Sequence, residues 1–172
     1  MTYKISLSEN EQRLAIHIGQ KRYANARLKN IKDSKIGDQS NEETDLEGFA
    51  GELAFCKVMN IYPDLETGNN LPPYDCIDYY GVTYDVKTTK HTNGHLMATL
   101  KKKKNPPDKY VLLIGIFPRY DIIGEIGSEE FLQPGNIKDL GLGPCYALTQ
   151  AELNPVNITG AFRTGAGETW QQ

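Results

Sequence analysis

Residues 74–90 read Tyr-Asp-Cys-Ile-Asp-Tyr-Tyr-Gly-Val-Thr-Tyr-Asp-Val-Lys-Thr-Thr-Lys. The pattern is that of a β-hairpin with Gly81 at its turn. Asp75 stands near the start of the first strand, and Asp85-Val86-Lys87 lies on the second. Side chains alternate faces along a strand, so Asp85 and Lys87 point one way and Val86 the other. Two carboxylates and an ammonium gathered at one sheet edge are costly to hold together without a ligand. A divalent cation and a phosphate would account for them.

Upstream, Ser8 and Glu11 form a capping box, and the pattern after them predicts a helix over residues 8–28. Residues 31–43 are polar and read as a mobile loop. A second helix is expected from about Thr44 to Asn60, and Pro63, Gly68, Pro72 and Pro73 then mark an irregular connection. Downstream of the hairpin, residues 91–100 fit strand or loop. Lys101–Pro107 reads as a basic loop, Tyr110–Phe117 as a buried strand and Ile122–Ile126 as another. Ser128, Glu129 and Glu130 suggest a helical turn, Tyr146–Leu148 a short last strand, and residues 154–172 a tail with little core of its own. The order helix, helix, strand, strand, strand, strand predicts an α/β (α+β mixed) sandwich around a small mixed sheet. A chain of 172 residues is most simply one domain, 1–172.

The second helix carries an anomaly. On a wheel of roughly 100° per residue, Leu46, Phe49, Leu53, Phe55, Cys56 and Met59 share one broad face, with Glu43, Glu47 and Lys57 opposite. Glu52 falls inside the apolar face. A carboxylate there must be paired, protonated or bound to metal, because an unpaired buried charge is strongly unfavourable. The plainer reading places it at a rim, reaching solvent or a Lys. Gly48 and Gly51 flank it, and two glycines in a helix interior suggest close packing on a sheet.

Glu52, Asp75, Asp85 and Lys87 thus form one constellation. Hard oxygen donors without His or Cys suit Mg²⁺ or Mn²⁺, not zinc. Such a cation neutralises charge on a scissile phosphate and lowers the pKa of a bound water. Lys87 is placed to orient or deprotonate that water, or to stabilise the transition state, and the Val86 carbonyl is one more candidate ligand. Asp78 is an alternative to Asp75.

The constellation resembles the PD-(D/E)xK nuclease superfamily. The resemblance rests on Asp75, on Asp85-Val86-Lys87 ten residues later, on Glu52 within Gly48-Phe49-Ala50-Gly51-Glu52, and on the element order, and covers roughly residues 44–126. No literal Pro-Asp occurs, since Tyr74 separates Pro73 from Asp75, and the middle acid is Asp, not Glu. The resemblance implies a restriction-endonuclease-like αβββαβ core with a central mixed sheet flanked by helices, and Mg²⁺-dependent hydrolysis of DNA phosphodiesters, with Mn²⁺ able to substitute. It implies that Asp75 and Asp85 are metal ligands, Glu52 an additional one, and Lys87 catalytic. The compact chain suits a phage-type enzyme acting in the host cytoplasm.

Charge patterning adds a candidate DNA surface. The net charge is −3, but residues 38–86 carry eleven acids against one Lys, and residues 87–119 carry eight Lys/Arg against one acid. Local sign steers a polyanion more than the total does, although any one charged run is as readily a solvated face. Thr89 shares the face of Asp85 and Lys87, and Lys90 and His91 close that strand. Lys101, Lys102, Lys103 and Lys104 form the best electrostatic arm for phosphate contacts. Arg13, Arg22 and Arg27 on the first helix extend it in the same reading, and His17 reads as structural. Duplex or branched DNA is the expected partner, and cutting both strands often calls for a homodimer. Cys56, Cys76 and Cys145 read as core residues in a reducing cytoplasm. No apolar run is long enough for a membrane. The alternative function is a non-catalytic nucleic-acid-binding or assembly module on the same fold.

Overall fold

The computed structural model describes residues 2–28, 41–68, 72–141 and 143–158. The expected loop at 31–43 lies mostly outside them, as does most of the tail. Helix α1 (Glu9–Leu28) starts where the capping box places it: Ser8 N donates to Glu11 Oε2 at 2.6 Å and Glu11 N to Ser8 Oγ at 3.4 Å. Helix α2 (Asn41–Met59) is longer than expected and is buried continuously from Phe49 to Cys56. The apolar face read from the sequence packs inward, but the opposite side is engaged as well. Glu47 accepts from Tyr120 Oη at 2.9 Å and from Phe117 N at 3.2 Å.

The architecture is mixed α+β. Strands β1 (Tyr3–Ser6), β2 (Cys76–Ile77), β3 (Thr83–Thr89), β5 (Lys109–Ile116) and β6 (Arg119–Gly127) form one sheet in the order β1-β6-β5-β3-β2. Only β3 and β5 run parallel, with Asp85 opposite Tyr110 and Lys87 opposite Leu112. A second, antiparallel sheet joins β4 (Leu96–Ala98), β8 (Pro144–Leu148) and β7 (Ile137–Asp139) in the order β4-β8-β7. The parallel crossover from β3 to β5 therefore runs through β4 and a 3-10 helix (Leu100–Lys104), where the sequence predicts strand or loop over residues 91–100 and a basic loop over Lys101–Pro107. Lys101–Lys104 is not a loop, and β1 and β7 have no counterpart in the sequence reading, whereas β8 contains the short last strand expected at Tyr146–Leu148 and β4 lies in the 91–100 stretch that fits strand or loop.

Each face of the large sheet buries its own apolar cluster. On one face α1 and α2 cover Tyr84, Val86, Val111, Leu113, Tyr120 and Ile122. On the other, the second sheet and helix α3 (Ser128–Phe131) cover Tyr110, Leu112 and Ile126. Val156 and Ile158 join the first cluster, so the start of the expected tail contributes to the core. The three cysteines are free and buried. Among the described residues no helix is long and apolar enough to cross a membrane.

Gly51 shows why α2 sits so close to β3. A Cβ there would collide with Thr88 Oγ1 and lie 3.3 Å from Thr88 Cβ, whereas one on Gly48 would meet nothing within 4 Å. Of the two glycines, only Gly51 marks a close approach. Asp108 ties the parallel strands together where they begin: its Oδ2 accepts from Thr83 N at 2.8 Å and Thr83 Oγ1 at 2.7 Å, and its own N–H donates to Thr83 Oγ1 at 2.9 Å.

Candidate active site

The hairpin determines which acid faces the site. Asp78 Oδ1 accepts from Tyr80 N and Val82 N, both at 2.9 Å, and Tyr84 Oη donates to its Oδ2 at 3.0 Å. Gly81 supplies the positive φ of +85° that the turn requires. Both carboxylate oxygens of Asp78 are thus committed to shaping the turn. Asp75 lies on the other flank, where β2 stops pairing. Its N–H donates to Tyr84 O at 2.8 Å, and its Oδ2 accepts the next free edge N–H of β3, that of Val86, at 2.6 Å. Because β2 spans two residues, most of β3 beyond Tyr84 is an edge on that side, and Asp75 caps it with a side chain.

Asp85 is fully buried on the face of Tyr110. Lys87, on the same face, ion-pairs with Asp85 Oδ1, and Lys102 from the 3-10 helix reaches Asp85 Oδ2 at 2.5 Å. Glu52 enters from α2 on the opposite face and is only 8% exposed. Arg22 of α1 holds it, with Nη1 at 3.1 Å from Oε1 and 2.9 Å from Oε2. Arg22 is itself fixed by the Asp64 carbonyl, 3.1 Å from Nη2, and by the Phe49 ring, whose centre is 4.8 Å from Cζ.

Electrostatics tie these groups into one unit. Burial, then the Asp75 charge, push the Glu52 carboxyl up to about 8, while Arg22 and Lys87 pull it back. Burial, then Asp85, push Asp75 up to about 6 against the pull of Lys87, the Val86 N–H and Lys102. Burial would also raise Asp85, but Lys87 and Lys102 together hold it below the usual carboxylate range. Lys87 loses from burial and gains more from Asp85, Asp75 and Glu52, so its ammonium is held charged. The thiol of Cys76, next to Asp75, is pushed up by its hydrogen bond with Cys56 and by burial.

The sequence-predicted residues Glu52, Asp75, Asp85 and Lys87 are therefore brought together, from two helices' worth of packing and one strand edge. They are brought together already paired. Among the described residues, no three His, Cys, Asp or Glu side chains are grouped so that they could hold a metal ion. Asp75 and Asp85, whose charges act directly on each other, are the two carboxylates that could hold a hard cation. Glu52 could join them only if Arg22 let go.

Comparison with known proteins adds the lineage. Residues 2–135 match a protein-family model described as a family of unknown function. The chain belongs to DUF5843. No curated protein and no solved structure matches it. The part matched to DUF5843 holds the whole five-stranded sheet, Arg22, the four site residues and Lys102, while β7 and β8 lie beyond it.

The candidate DNA-contact residues divide in this DUF5843 chain. Lys90, His91, Lys101, Lys103 and Lys104 are exposed. Thr89 is half-buried beside Gly94, and its Oγ1 accepts from His91 N at 3.3 Å. Lys102 turns inward to Asp85, and Arg22 turns inward to Glu52, so neither is a free surface cation. Sequence reasoning assigned both to the surface. The signal for Arg22 was Glu52 itself, which needed a partner. The signal for Lys102 was the run of four lysines, which a helix of three residues per turn lying on the protein cannot expose in full. Tyr110 was read only as core. Its buried hydroxyl has no hydrogen-bond partner among the described residues, and burial, then Asp85 and Asp75, raise it.

Proposed function

We propose that this protein is a Mg²⁺-dependent deoxyribonuclease that hydrolyses DNA phosphodiester bonds, as an endonuclease, on a restriction-endonuclease-like core. The observation that carries the reading is two acids at adjoining positions of the β3 edge, Asp75 accepting from Val86 N at 2.6 Å and the neighbouring Asp85 paired with Lys87. Asp75 and Asp85 are the residues that would hold the cation. Glu52 is the additional acid behind them, and the Val86 carbonyl is the nearest backbone donor the resemblance offers. When bound, the cation supplies Lewis acidity at the scissile phosphate and acidifies a water.

The chain's own contribution is mainly electrostatic. Lys87 is held as an ammonium by three acids, which suits it to donate to a phosphate oxygen as charge develops. It is poorly suited to act as the base. Lys90, His91, Lys101, Lys103 and Lys104 would contact the DNA backbone, an interaction that positions the duplex without reading its sequence.

Supercoiled plasmid incubated with Mg²⁺ or Mn²⁺, and in parallel with chelator, tests the reading. Metal-dependent cleavage should fall at least about 100-fold in Asp85→Ala and in Lys87→Ala. Cleavage that persists in both variants, or none on plasmid, branched or single-stranded DNA, would overturn it. The second reading, a nucleic-acid-binding or assembly module, is favoured by one observation: the buried acids are neutralised by Arg22, Lys87 and Lys102 without any ligand. DNA binding without cleavage would select it.

A further inference from the structure

The 3-10 helix Leu100–Lys104 carries four consecutive lysines. Three of them face solvent, while Lys102 ends 2.5 Å from Asp85 Oδ2 with a side chain 33% exposed. Asp85 is a fully buried carboxylate that now has one ammonium on each oxygen. Lys87 reaches Oδ1 from two residues along the same strand. Lys102 comes from a separate element, whose first turn is closed by its own N–H on Thr99 O at 3.0 Å. Removing one partner from a buried ion pair leaves an uncompensated charge, so an ammonium can leave Asp85 readily only if another cation arrives.

We infer that Lys102 is a built-in counter-ion that neutralises Asp85 in the free protein and that a divalent cation must displace from Asp85 Oδ2. The inference rests on the nuclease reading and adds a competitor to its cation site. It gives Lys102 a role distinct from its neighbours: Lys101, Lys103 and Lys104 serve the surface, and Lys102 keeps the site closed to the cation. Displacement also returns a fourth charge to the exposed run.

The test uses the full DNA-free chain titrated with Mn²⁺, with bound ion read by electron paramagnetic resonance. Removing the competitor should tighten binding, so Lys102→Met should bind Mn²⁺ about tenfold or more tightly than the wild type, within the range of ordinary coupling between sites. Lys102→Arg keeps a cation in place and should not tighten it. Lys101→Met should leave it unchanged. Asp85→Asn should abolish binding in the wild-type and Lys102→Met backgrounds alike. If Lys102→Met does not fold, Lys102→Gln carries the same comparison.

Wild-type binding that depends on Asp85 but is unchanged or weakened in both Lys102→Met and Lys102→Gln would overturn the counter-ion and leave the cation site standing. Mn²⁺ binding that is absent, or indifferent to Asp85→Asn, would overturn the site and the counter-ion together.

Discussion

Two carboxyls of the site sit well above their ordinary range, Glu52 at about 8 and Asp75 at about 6, chiefly because both are buried. A group whose folded-state pKa is raised binds more protons folded than unfolded. Acids of this kind therefore make stability fall as pH rises from the unfolded value to the folded one. For Glu52 that window runs from about pH 4.5 to about 8, and for Asp75 from about 4 to about 6. Each contributes a slope of up to about 1.4 kcal/mol per pH unit inside its window. Urea midpoints measured between pH 5 and pH 8 should decline steadily for the wild type. Glu52→Gln should flatten the decline up to pH 8, and Asp75→Asn only its lower part. A wild-type midpoint that rises over this interval would show that Arg22 overcomes the burial of Glu52. The acids were legible as single residues, since Glu52 stood on an apolar helix face and Asp85 and Lys87 shared a strand face. Their partners were not. Arg22 meets Glu52 across 30 positions and Lys102 meets Asp85 across 17, and no local period encodes a contact of that kind.

At the scale of elements, the helix–strand contact between α2 and β3 determines how near Glu52 can come to the edge holding Asp75. Gly51 makes that contact possible, so Gly51→Ala should cost about 1–3 kcal/mol through overpacking against Thr88. Gly48→Ala has open space and should stabilise by up to about 1 kcal/mol through helix propensity. Paired urea denaturation curves decide it: equal effects of the same sign would mean that the close approach is not what Gly51 is for. The elements with strong periodic or capping signals were legible in the sequence, namely α1, α2, the hairpin, β5 and β6. β1 was not, because four residues offer too short a pattern. Nor was the crossover. Residues 91–100 fit strand or loop alike, because Leu96–Ala98 takes Tyr146–Leu148 as its strand partner, a pairing that spans about 50 residues and that neither segment encodes alone.

Across the whole molecule, the central sheet is a shared wall between two apolar clusters, one under α1 and α2 and one under the second sheet. The 3-10 helix that delivers Lys102 hangs directly from β4, so the second sheet sets the position of a residue in the site. Phe131 is central to that half: it is fully buried, with ring centroids 5.0 Å from Tyr110 and 6.1 Å from Tyr146, both edge-on. Phe131→Ala deletes a large side chain from a closed cluster and should cost about 3–5 kcal/mol. If the two clusters are one cooperative unit, as expected for a chain whose layers share β5 and β6, the variant should still unfold in a single urea transition, at a lower midpoint and with an unchanged slope. The circular dichroism and tyrosine fluorescence curves should then coincide. If the second sheet is an independent layer, Phe131→Ala should instead split the transition. The tyrosine signal from Tyr110 and Tyr146 would be lost first, and the helical signal of α1 and α2 would hold to the wild-type midpoint. The single transition is the expected outcome because Tyr110 and Val111 are neighbours on one strand facing opposite clusters, and neither face of β5 can be exposed to water without loosening the strand that serves the other.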